Sequence, residues 1–298
     1  MAEQVPDGRG PGPASGSLPG QGAAGRRESG RHADGVSRAG RAVVEDGAAR
    51  TPPLPGAVGV THLRVYDSLA PDGLRGGSAH LHTACTEAYV VLAGSGAVQT
   101  LSGEGYAEVP LAPGALVWFT PGTVHRLVNG GGLEILVLMA NAGLPEAGDM
   151  VLTFPEPVLA DPEAYAAAAT LSGAEATTAG TGAAARARRD LATEGFVALR
   201  DAVLEEGPGA LGPFHRRAAR IVRERVDGWR AVWQEGPLAA ALATGAHLEA
   251  LAAGDAAHLG SSSVSQLPPP ADERRMGCCG TLGTFVPAAA GRVGGSAP

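Results

Sequence analysis

The stretch HLHTACTE at residues 80–87, together with PGTVHRLVN at residues 121–129, carries the strongest prediction about the fold of this chain. The two stretches supply three imidazoles and one carboxylate, which are ligands suited to a divalent transition metal. Both have the composition of β-strands that are bounded by turn residues. The sequence therefore predicts a metal site inside a small β-barrel.

The order of residues within these stretches predicts which side chains share a face. Alternate residues of a strand point to the same side, so His80 and His82 project together. Glu87 follows His82 by an odd interval, so it would face the opposite way in an unbroken strand. The sequence therefore predicts a bend or bulge between residues 83 and 86. His125 follows a turn at residues 121–122 that directs the next strand back across the barrel.

The spacing of these residues resembles the two motifs of the cupin superfamily. The first motif reads His-x-His-x4-Glu-x6-Gly from His80 to Gly94, and the second reads Gly-x2-His-x3-Asn from Gly122 to Asn129. The resemblance covers residues 58–154 and implies a jelly-roll barrel of the small, sugar-isomerase-like kind. It also implies that the barrel holds one metal ion, with the ligand role falling on His80, His82, Glu87 and His125.

The identity of the metal stays open at this point, because the ligand preferences of Mn, Fe, Ni and Zn overlap. Manganese, iron or nickel would keep open octahedral positions for a substrate, whereas zinc is more often tetrahedral and filled. Tyr89 and Asn129 fall on the ligand face by alternation. They are therefore the candidates for hydrogen bonds to the imidazoles.

Composition excludes several kinds of chemistry and predicts the compartment. All 23 basic residues are Arg, so a Schiff base, a lysine general base and a P-loop lysine are excluded. The net charge of −7 argues against binding to nucleic acid. No apolar run reaches the ~18 residues of a membrane span, so we predict no membrane partner. The three cysteines suggest no disulfide framework, and the sequence predicts a cytoplasmic location.

The predicted fold class is mainly β, with a jelly-roll barrel followed by an α-helical region and disordered tails at both ends. Residues 1–55 contain few large apolar side chains and predict a disordered leader. Residues 56–155 alternate short β-type runs with glycine-rich turns and predict the barrel. The predicted strands cover residues 61–66, 88–92, 97–101, 106–111, 115–119, 124–128 and 133–140.

A helical pattern replaces the β pattern after the barrel. Residues 184–206 and 213–235 each carry apolar side chains at helical spacing, and a third helix is predicted to begin at Pro237. These helices make up a predicted extension over residues 156–260. Residues 261–298 are predicted to be a mostly disordered tail, which includes the adjacent Cys278 and Cys279.

The first functional hypothesis is a metal-dependent enzyme that acts on a small polar molecule such as a sugar or an organic acid. The metal would polarise a carbonyl or enediolate of the substrate in an isomerase-type reaction. Because the chain has no lysine, proton transfer is assigned to Glu87 or Tyr89 as the candidate catalytic residues. An iron-dependent dioxygenase is an alternative, since the same ligands bind Fe(II).

The second hypothesis is a non-catalytic module that senses a metabolite or a metal. The helical extension motivates this alternative, because a minimal cupin enzyme does not require one. In both cases the predicted partners are a small-molecule ligand and a second copy of the chain in a homodimer.

Overall fold

The computed structural model describes residues 53–285. The predicted leader lies outside the described residues except for its last three positions, and so does the predicted tail beyond residue 285. Within residues 53–285 the strands form one nine-stranded antiparallel sheet. The strands are β1 (Gly59–Val65), β2 (His80–His82), β3 (Glu87–Ser102), β4 (Gly105–Leu111), β5 (Leu116–Phe119), β6 (Val124–Met139), β7 (Met150–Leu152), β8 (Arg275–Met276) and β9 (Gly280–Phe285).

The long strands β3 and β6 form the centre of the barrel. They pair from Glu87 opposite Met139 to Leu101 opposite Val124, with irregular register between residues 91 and 96. The sequence predicted two strands in place of each, separated at glycines, and this division is wrong. Gly94 instead adopts a left-handed φ of 73° inside β3, and a Cβ there would collide with the backbone of β6. The glycines therefore bend the two strands together without ending them.

Two regions of sheet share β3 and β6 and enclose the core. The first half of β3 pairs with β5 and with the second half of β6, and β1 and β9 continue from there. The second half of β3 pairs with β4 and with the first half of β6, and β2 and β7 follow. The largest fully buried side chains of these strands include Leu81, Tyr89, Leu101, Leu127 and Ile135. This is the predicted jelly roll.

Six α-helices follow the barrel in the described residues. Helix α3 agrees with the helix predicted over residues 184–206, whereas the one predicted over 213–235 is divided by a 3-10 turn at Arg223–Arg225. Pro237 lies in a π-helical turn just before α6 rather than at a helix start. The helices are α1 (Glu156–Ala160), α2 (Pro162–Ala169), α3 (Ala183–Glu206), α4 (Gly212–Val222), α5 (Val226–Trp233) and α6 (Ala239–Ala252).

Helix α3 packs closely on the outer face of the second sheet region. The hydroxyl of Thr153 donates a hydrogen bond of 2.7 Å to the carbonyl of Ala192. Gly195 lies against the backbone at Thr153, where a Cβ would collide with it. The guanidinium of Arg126 is buried beneath the helix, with its Cζ 5.9 Å from the centre of the Phe196 ring. None of the helices within residues 53–285 has the length and apolar character needed to cross a membrane.

The predicted disordered tail is wrong for residues 275–285. Strand β9 pairs with β1 from Val60 opposite Phe285 to Val65 opposite Gly280. The turn between β8 and β9 is held by Gly277, whose carbonyl accepts hydrogen bonds from the hydroxyl of Tyr66 at 2.8 Å and from Arg188 at 2.6 Å. The free edge of β1 supplies the partner for this glycine-rich strand, and local sequence does not reveal that partner.

Candidate metal centre

The four residues that the sequence singled out lie together inside the barrel. Each offers one ligand atom, and these atoms all lie within 4.8 Å of one another. His80 and His82 come from β2, Glu87 begins β3, and His125 is the second residue of β6. His80 lies directly opposite His125 in the pairing of β2 with β6, which brings the two predicted motifs together.

Hydrogen bonds on the far side of two imidazoles determine which ring nitrogens face the cluster. Nδ1 of His80 lies 3.0 Å from the carbonyl oxygen of Ser78, and Nδ1 of His125 lies 3.1 Å from that of Thr123. A carbonyl oxygen can only accept, so we assign the ring hydrogen to Nδ1 in both residues. In the neutral form of each ring, Nε2 then presents a lone pair to the cluster.

These lone pairs converge with a carboxylate oxygen. Nε2 of His125 lies 3.1 Å from Nε2 of His80 and 2.9 Å from Oε2 of Glu87. Oε2 of Glu87 is buried and receives no hydrogen bond of acceptable geometry from the described residues. Burial lowers the pKa of His80 well below its ordinary value, and His125 and His82 lower it further, so a bridging proton is disfavoured. This donor set fits a bound cation.

The carboxylate of Glu87 remains ionised in this setting. Burial alone would raise the pKa of Glu87, but the adjacent imidazoles of His125 and His82 outweigh burial and hold that pKa well below its ordinary value. The site therefore contains a negative charge among imidazoles, as a divalent cation requires.

His82 differs from the other two histidines because an anion lies behind it. Its Nδ1 lies 3.1 Å from Oδ2 of Asp149, and its Nε2 lies 3.3 Å from Oε2 of Glu87. Burial lowers the pKa of His82, but the hydrogen bond to Asp149 and the negative charges of Asp149 and Glu87 outweigh burial and raise the pKa to about 9. His82 must therefore lose a proton before its Nε2 can bind a cation.

The predicted bend between His82 and Glu87 is present, and Asp149 holds it. The carboxylate of Asp149 accepts hydrogen bonds from the backbone N–H groups of Thr83, Ala84 and Cys85. Burial would raise the pKa of Asp149, but hydrogen bonds from His82 and Thr83 keep it well below the ordinary value. Sequence reasoning missed this residue, which lies in neither motif, and no local signal identifies it.

Tyr89 lies beside the cluster on the face that alternation predicted, but the hydrogen bond to an imidazole that was predicted for it is absent within residues 53–285. Its ring centre is 6.2 Å from that of His125, and its hydroxyl is buried without a hydrogen-bond partner among residues 53–285. Burial raises the pKa of Tyr89 well above its ordinary value, and Glu87 raises it further, so the phenol stays protonated. The prediction for Asn129 is wrong, because its amide bonds the carbonyl of Val65 and the N–H groups of residues 131 and 133.

Phe119 and Cys279 also lie beside the cluster, and the sequence did not predict either position. The ring of Phe119 stacks on His125 with centres 4.7 Å apart and an angle of 12° between planes. Sγ of Cys279 lies 3.9 Å from Nδ1 of His80, because the turn before β9 reaches the barrel. Sγ of Cys278 lies 2.9 Å from the sulfur of Met150.

Exposure indicates the side from which a molecule can reach the cluster. The side chains of His82 and Glu87 are 9% and 8% exposed, whereas that of His125 is 1% exposed. His82 and Glu87 therefore form the more exposed edge of a cluster whose four residues are all buried.

Comparison with known proteins identifies the barrel. Residues 66–140 match the family model described as "Cupin domain", and both motifs lie inside this range. This part of the chain is a cupin domain, as the resemblance of the two motifs implied. Among curated proteins, the sequence search found no match.

Solved structures that resemble the chain are related at the level of fold. One is a double-stranded beta-helix protein from Klebsiella pneumoniae, with 20% identity, a TM-score of 0.22, and coverage of 28% of this chain and 64% of that one. Another is a TDP-quinovose 3,4-ketoisomerase from Campylobacter jejuni, with 18% identity, a TM-score of 0.23, and coverage of 26% and 60%. A third, described as a predicted oxalate decarboxylase from Thermotoga maritima, has 21% identity, a TM-score of 0.22, and coverage of 28% and 64%. The chain spans less than two thirds of each, and these matches carry no argument about substrate.

Proposed function

We propose that the chain binds one divalent transition metal through His80, His82, Glu87 and His125, and that it is a metal-dependent enzyme for a small polar substrate. The observation that supports this proposal is the convergence of two Nε2 lone pairs on the buried, ionised Glu87. A bound metal would supply Lewis-acid chemistry, which polarises a carbonyl or an enediolate oxygen. The substrate class is a sugar or an organic acid, and the reaction is isomerase-like.

Two residues are proposed for the proton chemistry of this reaction. Glu87 is the candidate base, because it is the one carboxylate among the four residues of the cluster, and it would act when it is not bound to the metal. The hydroxyl of Tyr89 stays protonated and has no hydrogen-bond partner in the described residues. It is therefore available to donate a hydrogen bond to a substrate oxygen.

Elemental analysis and turnover together test the proposal. Protein purified without chelator should contain about one equivalent of Mn, Fe, Ni or Zn, a count that follows from a single four-ligand site. His125→Ala should lose the metal and any isomerase turnover on a panel of sugars and organic acids. His247→Ala is the matched control, because His247 is exposed on α6. If neither wild type nor control contains metal, the proposal is wrong.

The alternative is a non-catalytic sensing module, and the observation that motivates it is the helical extension, in which α3 packs on the barrel through Gly195 and Thr153. A sensor would be stabilised thermally by its metal or metabolite without turning it over, whereas an enzyme would release product. An iron-dependent dioxygenase would consume oxygen only when loaded with Fe(II). Three statements stay predictions: that the chain forms a homodimer, that it has no nucleic-acid or membrane partner, and that it is cytoplasmic.

A further inference from the structure

We infer that Asp149 is the positioning residue of this metal centre: it holds the bend that brings Glu87 to the ligands, and it orients the imidazole of His82. The inference rests on the proposed function, because it concerns affinity for the metal proposed there. Asp149 belongs to neither motif, and its side chain is fully buried.

The first argument concerns the backbone between His82 and Glu87. Oδ1 of Asp149 accepts hydrogen bonds from the N–H groups of Thr83 at 2.9 Å and Ala84 at 2.7 Å. Oδ2 accepts from the N–H of Cys85 at 3.1 Å, and the hydroxyl of Thr83 adds a fourth donor at 2.6 Å. The N–H of Thr83 also donates to the backbone carbonyl of Asp149 at 3.1 Å, whereas those of Ala84 and Cys85 have left the regular ladder because the chain bends, and the carboxylate satisfies them.

The bend has a direct consequence for the ligands. Glu87 follows His82 by five positions, so in a straight strand its carboxylate would leave the barrel interior. In the bent chain Oε2 of Glu87 instead lies 3.3 Å from Nε2 of His82. The shape of the bend therefore determines whether the fourth ligand reaches the site.

The second argument concerns the ring of His82. The imidazoles of His80 and His125 are each held by a carbonyl two residues earlier in the chain, just before their strands begin. His82 has Oδ2 of Asp149 at 3.1 Å from its Nδ1 instead. A carboxylate in this position fixes the hydrogen on Nδ1, directs Nε2 toward the metal and makes the imidazole a stronger ligand.

The placement of Asp149 is itself fixed by the fold. It directly precedes β7, whose first residue, Met150, lies opposite His82 in the pairing with β2. The N–H of Asp149 donates to the carbonyl of Leu144 at 3.2 Å, which holds the preceding turn. One carboxylate thus joins the bend, the histidine and strand β7.

Asp149→Asn tests the inference, with Co(II) as the probe. The amide can still accept from Thr83 and Ala84, but its NH2 group cannot accept from His82 or Cys85. We expect the variant to fold with unchanged circular dichroism and to bind Co(II) about 10- to 100-fold more weakly. The visible absorption of bound Co(II) should also change, since the orientation of one imidazole is altered.

Asp161→Asn is the matched control. Asp161 also accepts two backbone N–H bonds, from Glu163 and Ala164 at the start of α2, but it does not contact the cluster. This control should leave Co(II) affinity and spectrum unchanged, and it should change the melting temperature little, because asparagine caps a helix about as well as aspartate. Equal Co(II) affinity and identical spectra for Asp149→Asn and wild type would overturn the inference alone. Absence of Co(II) binding by wild type would overturn the proposed function and, with it, this inference.

A measurement on the wild-type protein tests the inference even if Asp149→Asn does not fold. In ¹H–¹⁵N spectra of the metal-free chain, the ring hydrogen on Nδ1 of His82 should exchange slowly with solvent, because it is buried and bonded to Asp149. Its signal is identified by its loss in His82→Ala. A ring that carries no hydrogen on Nδ1 would overturn the inference.

Discussion

The three histidines of the cluster are of two kinds, according to the group that lies behind each ring. His80 and His125 bond carbonyls of Ser78 and Thr123, two residues earlier on the chain. His82 bonds the side chain of Asp149, which is remote in sequence. The first two orientations are therefore properties of a local segment, and the third depends on the completed fold.

The hydroxyl of Tyr89 gives a prediction for stability at this scale. It is buried and has no hydrogen-bond partner among residues 53–285, so Tyr89→Phe should raise the free energy of unfolding by about 1 kcal/mol. Turnover should fall if the hydroxyl contacts the substrate.

Tyr165→Phe is the matched comparison. The hydroxyl of Tyr165 accepts a 3.2 Å hydrogen bond from the N–H of Leu152, so its loss should lower the free energy of unfolding by about 1 kcal/mol. Urea denaturation of both variants measures the effect, and a loss of stability in Tyr89→Phe would contradict it.

The ion pair between Asp72 and Arg126 gives a prediction about pH. Arg126 is fully buried, and its Nη2 donates to Oδ1 of Asp72 at 3.0 Å. Burial raises the pKa of Asp72, but the hydrogen bond and charge of Arg126 outweigh it and lower the pKa. Asp72→Asn should therefore cost about 3 kcal/mol near neutral pH, because it leaves a buried guanidinium without its anion.

The sign of the pH dependence follows from the lowered pKa. The carboxylate stabilises the fold at pH values above its unfolded pKa of about 3.9, and this contribution is lost as pH falls through the lower folded pKa. The difference in unfolding free energy between wild type and Asp72→Asn should thus shrink in acid. Denaturation curves at pH 7 and in acid measure it, and a gap that widens in acid would refute the assignment.

The candidate site was predictable from sequence to the extent that it depends on local order. The spacing and alternation of residues 80–87 identified the His80, His82 and Glu87 cluster and the bend that it needs. Alternation gives the face of a side chain but not its partner, so Asn129 was assigned to the imidazoles and instead bonds backbone groups. Asp149 and Cys279 reach the site only through the pairing of remote strands.

At the scale of elements, two close contacts between backbones fix how β3 packs on β6 and how α3 packs on the barrel. Gly94 was interpreted as part of a break between two strands, because a sequence pattern shows the glycine but not the backbone that packs against it. Gly94 bends β3 against β6, and Gly195 lets α3 lie directly on the segment that contains Thr153. The region of helices α3 to α6 was predicted because its apolar spacing is local, whereas α1 and α2 were not predicted as separate helices.

Gly195→Ala should therefore destabilise the fold although alanine favours helices. A Cβ at Gly195 would collide with the backbone carbonyl of Thr153, and such overpacking costs about 1–3 kcal/mol. Gly228→Ala in α5 is the matched control, because a Cβ there has no described atom within 4 Å. The control should gain up to about 1 kcal/mol from helix propensity. Chemical denaturation of the two variants measures the contrast, and equal stabilities would refute the packing argument.

At the scale of the whole molecule, the barrel is completed by residues from both ends of the described chain. Strand β9 continues the sheet beside β1, and the turn before it brings Cys279 to His80. The segment was interpreted as part of a tail, and Gly280 and Gly283 lower its own strand propensity. Pairing with the edge of β1 gives β9 its extended conformation.

Shortening the chain tests the role of this segment. A chain that ends at residue 267 lacks β8 and β9, so it should expose the edge of β1 and melt at a lower temperature than the full chain. A chain that ends at residue 285 keeps every described strand and is the control. Thermal melts followed by circular dichroism compare the two, and equal melting temperatures would show that β9 contributes nothing to the barrel.

The pairing of β1 with β9 also sets the order of events during folding. Val60 pairs with Phe285, so this contact closes a loop that contains nearly all of the described chain. Contacts of such long range slow folding, since the entropy of loop closure must be lost before the contact forms. During synthesis β1 is made before β9, so the edge of β1 that pairs with β9 stays unpaired until β9 has been synthesised. We therefore expect the unpaired edge of β1 to be a site of edge-to-edge aggregation until β9 covers it.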